Sequence, residues 1–429
     1  MENKKQRVYF VIDMKTFFAS VECAERNLDP FETNLVVADP VRGRGGVCLA
    51  ITPKLKSLGI RNRCRLYEIP EDIEYIIAKP RMKKYIEYAS EIYGIYLKYI
   101  DKNDIHVYSI DECFIDATDY LKLYNMRAKE FALKLTNEIY EKLKIPSSVG
   151  IGTNMYLAKI ALDITAKHVP DRVGWLTEEK YKNLLWTHEP ITDFWQISRG
   201  IATRLKNIGI TNMMGIANCD EDLLYKVFGI NAELLIDHAW GRESCTIADI
   251  KKYKARSKSI GHSQILPCNY DFDSAKLVLT EMIQNGCYEL MEYHYVTDLV
   301  DIHIGFALDK KDDVRGSIRF NVRTNLFTQI IEKVEKLFDK IVKKDKLIRQ
   351  VGFTFCNLQE EKYERYDFFT DIEKVNKEKK LVGSIINLQK RFGKNSILKG
   401  FDLKKNATQI ERNKLIGGHS SGENEDESS

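Results

Sequence analysis

Apolar and polar positions alternate in two distinct rhythms along this chain. A near-continuous apolar run at residues 8–12 reads as a strand and ends on Asp13. Helix-period text follows and is stopped at Asn27-Leu28-Asp29-Pro30. Residues 31–79 form a Gly- and Arg-containing insertion, and residues 81–100 a helix with a tyrosine-rich face. Short alternating apolar runs then flank Asp111-Glu112, as in a hairpin. Phe131, Leu135, Ile139 and Leu143, spaced by four, mark an amphipathic helix closed by Ile145-Pro146. Ser148-Val149-Gly150-Ile151 suits a buried strand, and Asn154 can cap a further helix through Lys167. This periodicity describes a mixed α and β domain.

Past residue 178 the rhythm changes. Residues 178–245 are helical with short loops, including Arg199-Gly200-Ile201-Ala202-Thr203-Arg204-Leu205. Residues 251–258 carry five cations in eight: Lys251, Lys252, Lys254, Arg256 and Lys258. Residues 259–357 return to strands (300–306 and 317–322) and an amphipathic helix (328–343). Arg315, Arg319 and Arg323, spaced by four, would share one face of a continuous strand. From residue 415 onward Gly, Ser and acids suggest a disordered tail over 415–429.

Bulk composition narrows the class without fixing it. At 429 residues the chain is long enough for two to four domains with ample core. Net charge is +4, but the last ten residues hold four acids and no Lys or Arg. Without those acids 66 basic side chains face 58 acidic ones, a balance of +8. Any affinity for nucleic acid must then come from local patches. Nine cysteines with no Cys-x-x-Cys pair indicate reduced thiols in a cytoplasmic setting rather than disulfides or zinc. No signal-type N-terminus and no apolar run of 18 residues is found, so the expectation is a soluble protein without a membrane role.

Asp13, Asp111 and Glu112 are the candidate chemistry. Strands ending on Asp, with Asp-Glu near a hairpin turn, can hold two cations about 3.5–4 Å apart for in-line displacement at phosphorus. The other reading is that Asp-Glu decorates a turn. The flanking text bears on that choice. Asp13 is followed by Met14-Lys15-Thr16-Phe17-Phe18-Ala19-Ser20-Val21-Glu22, and the acidic pair sits in Tyr108-Ser109-Ile110-Asp111-Glu112. Together these segments resemble the two catalytic motifs of Y-family, translesion, DNA polymerases, closest to the UmuC-like and Gram-positive UV-damage-repair branch. The resemblance runs to about residue 400.

The resemblance implies an α+β fold. Its parts are a ferredoxin-like polymerase palm (1–177, fingers insertion 31–79), a helix-hairpin-helix thumb (178–245), a basic linker (246–258) and a separate α/β little finger (259–357). A C-terminal region (358–414) precedes the tail. The strand, helix, hairpin, helix, strand order is the split βαβ pattern such a palm uses. It also implies two Mg²⁺ ions, with Mn²⁺ able to substitute, held by Asp13, Asp111, Glu112 and the Met14 backbone carbonyl. Phe18 matches the aromatic gate that excludes a 2′-hydroxyl. Phe17 and Phe18 point about 100° apart on a helix, so one ring is core and one faces the sugar. Lys159 and Lys56 match triphosphate-binding cations, although Pro53 stands where a phosphate-binding Tyr is usual. Gly43, Gly45 and Gly46 would form an uncluttered fingers roof.

DNA contacts are implied for Gly200 at a helix start and for the basic run. The thumb's usual Gly-x-Gly is displaced here, which leaves a structural αα-hairpin open; the basic run equally suits a solvated linker. Arg315, Arg319 and Arg323 would line the major groove. Arg365-Tyr366-Asp367-Phe368-Phe369 resembles a sliding-clamp-binding peptide, with Phe368 and Phe369 as its anchors, or a buried terminal strand. The implied substrates are primer-template DNA and deoxynucleoside triphosphates, for a low-fidelity monomeric enzyme without proofreading. Two alternatives differ in class: a palm-type nucleotide cyclase, which would lack the thumb and C-terminal domain, and a non-catalytic DNA-binding family member, which would lack the carboxylates.

Overall fold

A computed structural model of the chain describes residues 7–307, 313–362 and 371–422. They fall into two compact units, one spanning 1–253 with 419–429 and the other 254–418. The first unit is built on a five-stranded sheet. Its central strand β1 (Tyr9–Met14) is followed by α1 (Phe17–Ala24). A small three-stranded sheet comes next, with β2 (Leu35–Val37) between β3 (Ala50–Ile51) and β4 (Ile76–Ala78), and with α2 (Pro53–Ser57) on the same insertion. It encloses its own core of Val36, Cys48, Ile51, Leu55 and Leu66.

The chain then returns through α3 (Met82–Leu97), β5 (Ile105–Val107), β6 (Glu112–Asp116), α4 (Thr118–Leu123), α5 (Ala128–Leu143), β7 (Ser147–Gly152), α6 (Met155–Ile160) and β8 (Val173–Leu176). Strand order is β5-β6-β1-β7-β8, antiparallel up to β7 and parallel between β7 and β8. The first four strands are the ferredoxin-like arrangement. β1 is apolar from Tyr9 to Ile12 because both its faces are covered there. Phe10, Ile12 and Met14 join the core under α3 and α5, while Tyr9 and Val11 pack with Phe114 against Met155, Ala158 and Leu162. The spacing-four residues Phe131, Leu135 and Ile139 of α5 are fully buried. Lys144, in the left-handed conformation (φ 58°), ends that helix before Pro146.

Five short helices follow in the same unit: α7 (Glu178–Leu185), α8 (Arg199–Asn207), α9 (Met213–Ala217), α10 (Glu221–Phe228) and α11 (Asn231–Ala239). They pack on Tyr181, Leu205, Met213, Leu224 and Phe228. The expected linker 246–258 begins instead as a helix, α12 (Ile247–Lys252). Thr246 and Asp249 cap its first turn reciprocally, a signal that the neighbouring charge run hides.

In the second unit β9 (Ile260–Tyr270), α13 (Phe272–Glu292), β10 (Tyr295–Phe306), β11 (Val314–Thr324), α14 (Phe327–Ile341) and β12 (Ile348–Cys356) form an antiparallel sheet of order β11-β10-β12-β9. Its two helices cover one face. The short β13 (Gln359–Glu360) pairs with the start of β10. α15 (Ile372–Phe392) packs Val382 and Ile385 on Tyr288 of α13. At α16 (Gln409–Asn413), buried Glu281 of α13 accepts the Thr408 N–H at 2.9 Å. Residues 415–422, expected to be disordered, contain the two-residue strands β14 (Leu415–Ile416) and β15 (His419–Ser420). Gly417 and Gly418 between them both have positive φ, so those glycines serve a turn rather than a disordered tail. In the first unit the Ser421 carbonyl accepts the Lys83 N–H at 3.1 Å. Among the described residues no helix is long and apolar enough to cross a membrane, and all nine cysteines are free.

Candidate active site

Ladder register brings the carboxylates together. Asp13, near the end of β1, stands directly opposite Glu112, the first residue of β6. Cross-strand partners project from the same face of a sheet. Counting by two from Val11 and Phe114 places both acids on the face covered by α6. Asp111 precedes β6, and its carbonyl accepts the Met14 N–H at 2.9 Å, tying the hairpin to the end of β1. Ser109 donates to Asp111 Oδ1 at 2.6 Å. The Met14 side chain is buried in the core, so only its backbone can serve a site at this end of the sheet. The chain leaves β1 through Thr16 in the left-handed conformation (φ 47°), and Ser20 secures that corner by donating to the Lys15 carbonyl at 2.6 Å.

Lys159 reaches in from α6, a helix opened by Asn154, whose side chain accepts the Leu157 N–H at 2.8 Å. Its ammonium donates to Glu112 Oε2 at 2.8 Å and to Asp163 Oδ1 at 3.2 Å. The other Glu112 oxygen, Oε1, is buried and has no hydrogen-bond partner. Burial, together with Asp111 and Glu112, pushes the Asp13 carboxyl up to about 7. Burial likewise raises Glu112, against the pull of Lys159. For Lys159 burial works downward, but Asp163 and Glu112 outweigh it and raise the ammonium.

A second group of charges is frustrated in the opposite sense. Burial and Arg172 lower the Lys15 ammonium. Lys56, on α2 behind Pro53, is lowered by partial shielding of its ammonium and by Lys15, with Lys167 adding to both. Carboxylates raised by burial and by one another gain from added positive charge, and lysines lowered by burial and by one another gain from an anion. Divalent metal over the acids and a polyphosphate over the lysines would relieve both. Among the described residues no three His, Cys, Asp or Glu side chains already converge as a metal cluster, because Glu112 is turned to Lys159 and Asp111 to Ser109. Hard oxygen donors with an orphaned Glu112 Oε1 still fit Mg²⁺ or Mn²⁺. Lys15, Asp163, Lys167 and Arg172 were not singled out from the sequence, where each is an isolated charge.

Phe17 is buried in the core, and Phe18 is half-buried, its ring 5.6 Å from Phe17 and 4.7 Å from Tyr85. Gly200 is exposed in the first turn of α8. Lys251 donates to the Lys102 carbonyl, Lys252 is exposed, and in the second unit Lys254 and Arg256 are exposed while Lys258 donates to the Tyr295 hydroxyl at 2.7 Å. Arg315 and Arg319 are exposed on β11, but Arg323 departs from them. An irregularity sets one residue of β10, Asp298, against four of β11, 320–323, and Arg323 pairs with Asp298 at 3.0 Å and the Asn357 carbonyl at 2.5 Å. Phe368 and Phe369 lie outside the described residues.

Comparison with known proteins bears on the family. A family model described as impB/mucB/samB family matches residues 12–163, and the model of that family's C-terminal domain matches residues 257–368. DNA polymerase IV 2 of Bacillus subtilis (strain 168) is 31% identical over 420 residues, 97% of this chain and 99% of that protein. UvrX of the same organism is 29% identical over 417 residues, 96% of this chain and 97% of its own. The solved Y-family DNA polymerase chimera Dbh-Dpo4(243-245)-Dbh shares the fold with a TM-score of 0.66 at 23% identity, over 82% of this chain and 99% of that one. With both acid-bearing segments inside the matched region and relatives aligned over nearly their full length, this chain belongs to the Y-family of DNA polymerases, in its impB/mucB/samB, UmuC-like group.

Proposed function

We propose that this chain is a template-directed DNA polymerase of the translesion type, adding deoxynucleotides to a primer 3′-hydroxyl with low fidelity and without proofreading. The observation that carries the reading is the Asp13–Glu112 register, with Asp111 beside it and Lys15 and Lys56 lowered by burial and by neighbouring cations against the pull of Asp13. Asp13, Asp111, Glu112 and the Met14 carbonyl would hold two Mg²⁺ or Mn²⁺ ions. Bound there, such ions lower the pKa of the attacking hydroxyl and neutralise the leaving pyrophosphate. Lys159, expected from the sequence to meet the triphosphate, donates instead to Glu112 and Asp163 and orients Glu112. Lys56, with Lys15, receives the triphosphate of the incoming nucleotide. Phe18 stands against the sugar and excludes a 2′-hydroxyl, while Phe17 anchors the helix in the core.

Around that centre the proposed divisions are palm 1–177 with fingers 31–79, thumb 178–245 and little finger 259–357. Gly200, the cations of 251–258, and Arg315 and Arg319 would contact DNA phosphates or grooves. Clamp binding by Phe368 and Phe369, a cytoplasmic location and a monomeric state rest on sequence alone. Primer extension with Asp111→Ala and Glu112→Gln tests the centre. Each variant should fold normally and lose roughly 10²–10³-fold or more in incorporation, and chelation of divalent metal should do the same to the unmodified protein. Near-normal extension by either variant would refute the assignment.

A further inference from the structure

Glu22 closes the first catalytic segment yet takes no part in phosphoryl chemistry. It is fully buried, on the same face of α1 as Phe18 four residues earlier. Arg81 Nε and Nη2 donate to its two carboxylate oxygens at 3.0 and 2.9 Å, and Arg26 also bonds Oε2. The hydroxyl of Tyr85, on α3, donates to Oε1 at 2.8 Å. Burial alone would raise the Glu22 carboxyl; the bonds from Arg81, Arg26 and Tyr85 outweigh it and hold the group below the ordinary carboxylate value. A buried carboxylate with every donor supplied is a rigid anchor, since moving any partner strands a charge.

Tyr85 is the link from that anchor to the nucleotide pocket. It is fully buried, and its ring lies 4.7 Å from the ring of Phe18 with an interplanar angle of 33°. A gate that works by exclusion is only as strong as the cost of pushing it aside. With apolar packing alone behind it, Phe18 could retreat by a small slide. The ring behind it here is fixed at its far end by a hydrogen bond to an immobile carboxylate.

We propose that Tyr85, anchored by Glu22 and Arg81, is a positioning residue that braces Phe18 and thereby sets how strongly this polymerase rejects ribonucleotides. The proposal rests on the reading of Phe18 as the sugar gate. Tyr85 need not touch the substrate; it acts through the stiffness of Phe18.

The test is single-nucleotide insertion with matched deoxy- and ribonucleoside triphosphates, comparing kcat/KM ratios. The variants are Phe18→Ala, Tyr85→Phe and Tyr85→Leu, together with each Tyr85 change in the Phe18→Ala background. Tyr85→Leu should lower the deoxy-to-ribo ratio by about three- to tenfold, the size expected for losing one packed ring pair, through a lower KM for the ribonucleotide. Tyr85→Phe keeps the ring, loses only the anchor, and should give a smaller shift in the same direction. If Tyr85→Leu does not fold, Tyr85→Phe decides. In the Phe18→Ala background neither change should alter the ratio, because nothing remains to brace. A purely structural role would lower both activities together and leave the ratio where it was. An unchanged ratio in the Tyr85 variants, with Phe18→Ala changing it, overturns the brace alone, as do equal shifts in both backgrounds. An unchanged ratio in Phe18→Ala overturns the gate itself, and the brace with it.

Discussion

Gly150→Ala probes how tightly the lysine-bearing helix is held to the catalytic sheet. A Cβ at Gly150, in the middle of β7, would lie 2.0 Å from the Ala158 carbonyl oxygen and 2.3 Å from the Leu162 nitrogen. Ordinary contact begins at 3.4 Å, so the segment must retreat by about 1.4 Å. Both obstructions are backbone, and no rotamer change relieves them. Overpacking usually costs about 1–3 kcal/mol, and backbone obstruction places this case at the upper end. For a unit of this size that lowers the melting midpoint by roughly 6–12 °C. The same retreat stretches the 2.8 Å Lys159–Glu112 bond beyond hydrogen-bonding range. Misplacement by about 1 Å near a reacting centre costs up to roughly 10²-fold in rate. Thermal melts and single-turnover primer extension with saturating nucleotide measure the two effects. Melting within about 2 °C of the unsubstituted protein, with unchanged turnover, would show that the helix does not sit this close.

Two further substitutions test other parts of the fold. Gly94 lies inside α3 with nothing within 4 Å of a would-be Cβ, so Gly94→Ala should raise stability by about 0.5–1 kcal/mol in urea titration and leave incorporation unchanged; a loss of stability would contradict the helix. The Glu281 carboxyl is pushed up to about 7, chiefly by burial, from an ordinary value of 4.5. The unfolded chain therefore releases that proton first, and the associated stability is present below about pH 4.5 and lost as pH rises through about 7. Melting of the second unit should fall between about pH 4.5 and about pH 7, and Glu281→Gln should flatten that slope; an equal slope in the variant would reject the assignment.

Much of the candidate site is legible in the sequence because its signals are local. An apolar run ending on Asp13 and a paired Asp111-Glu112 declare strand ends and acids without knowledge of the fold. Their juxtaposition is not local: period two gives the face a residue occupies, never its partner, and Asp13 meets Glu112 only through the strand order. Glu22 is visible as motif text, but its partners Arg81 and Tyr85 lie 59 and 63 residues away, so its part in a buried network is not. Lys15, Lys167 and Arg172 look like solvated charges until the fold crowds them. The expectation for Arg323 failed for a different reason. Spacing by four shares a face only on an unbroken strand, and a bulge, which has no reliable sequence signature, reverses the parity between Arg319 and Arg323. The helix at 247–252 is masked in the sequence because its Thr246–Asp249 cap adjoins a run of five cations that equally suits a linker.

β1 is laddered on both edges, to β6 from Tyr9 to Asp13 and to β7 from Tyr9 to Met14. Such a strand has no private opening motion, so its amides should exchange with deuterium only when the whole sheet parts. Gly43 and Gly45, in the proposed fingers, have no atom within 4 Å of a would-be Cβ. Tolerance of a misshapen template and reliability of bond formation can then be tuned in separate places. On the proposed reading of Gly43 and Gly45 as a roof, mutations that loosen the cover over the nascent pair need not slow the chemistry, because Asp13 sits on a strand held along both edges.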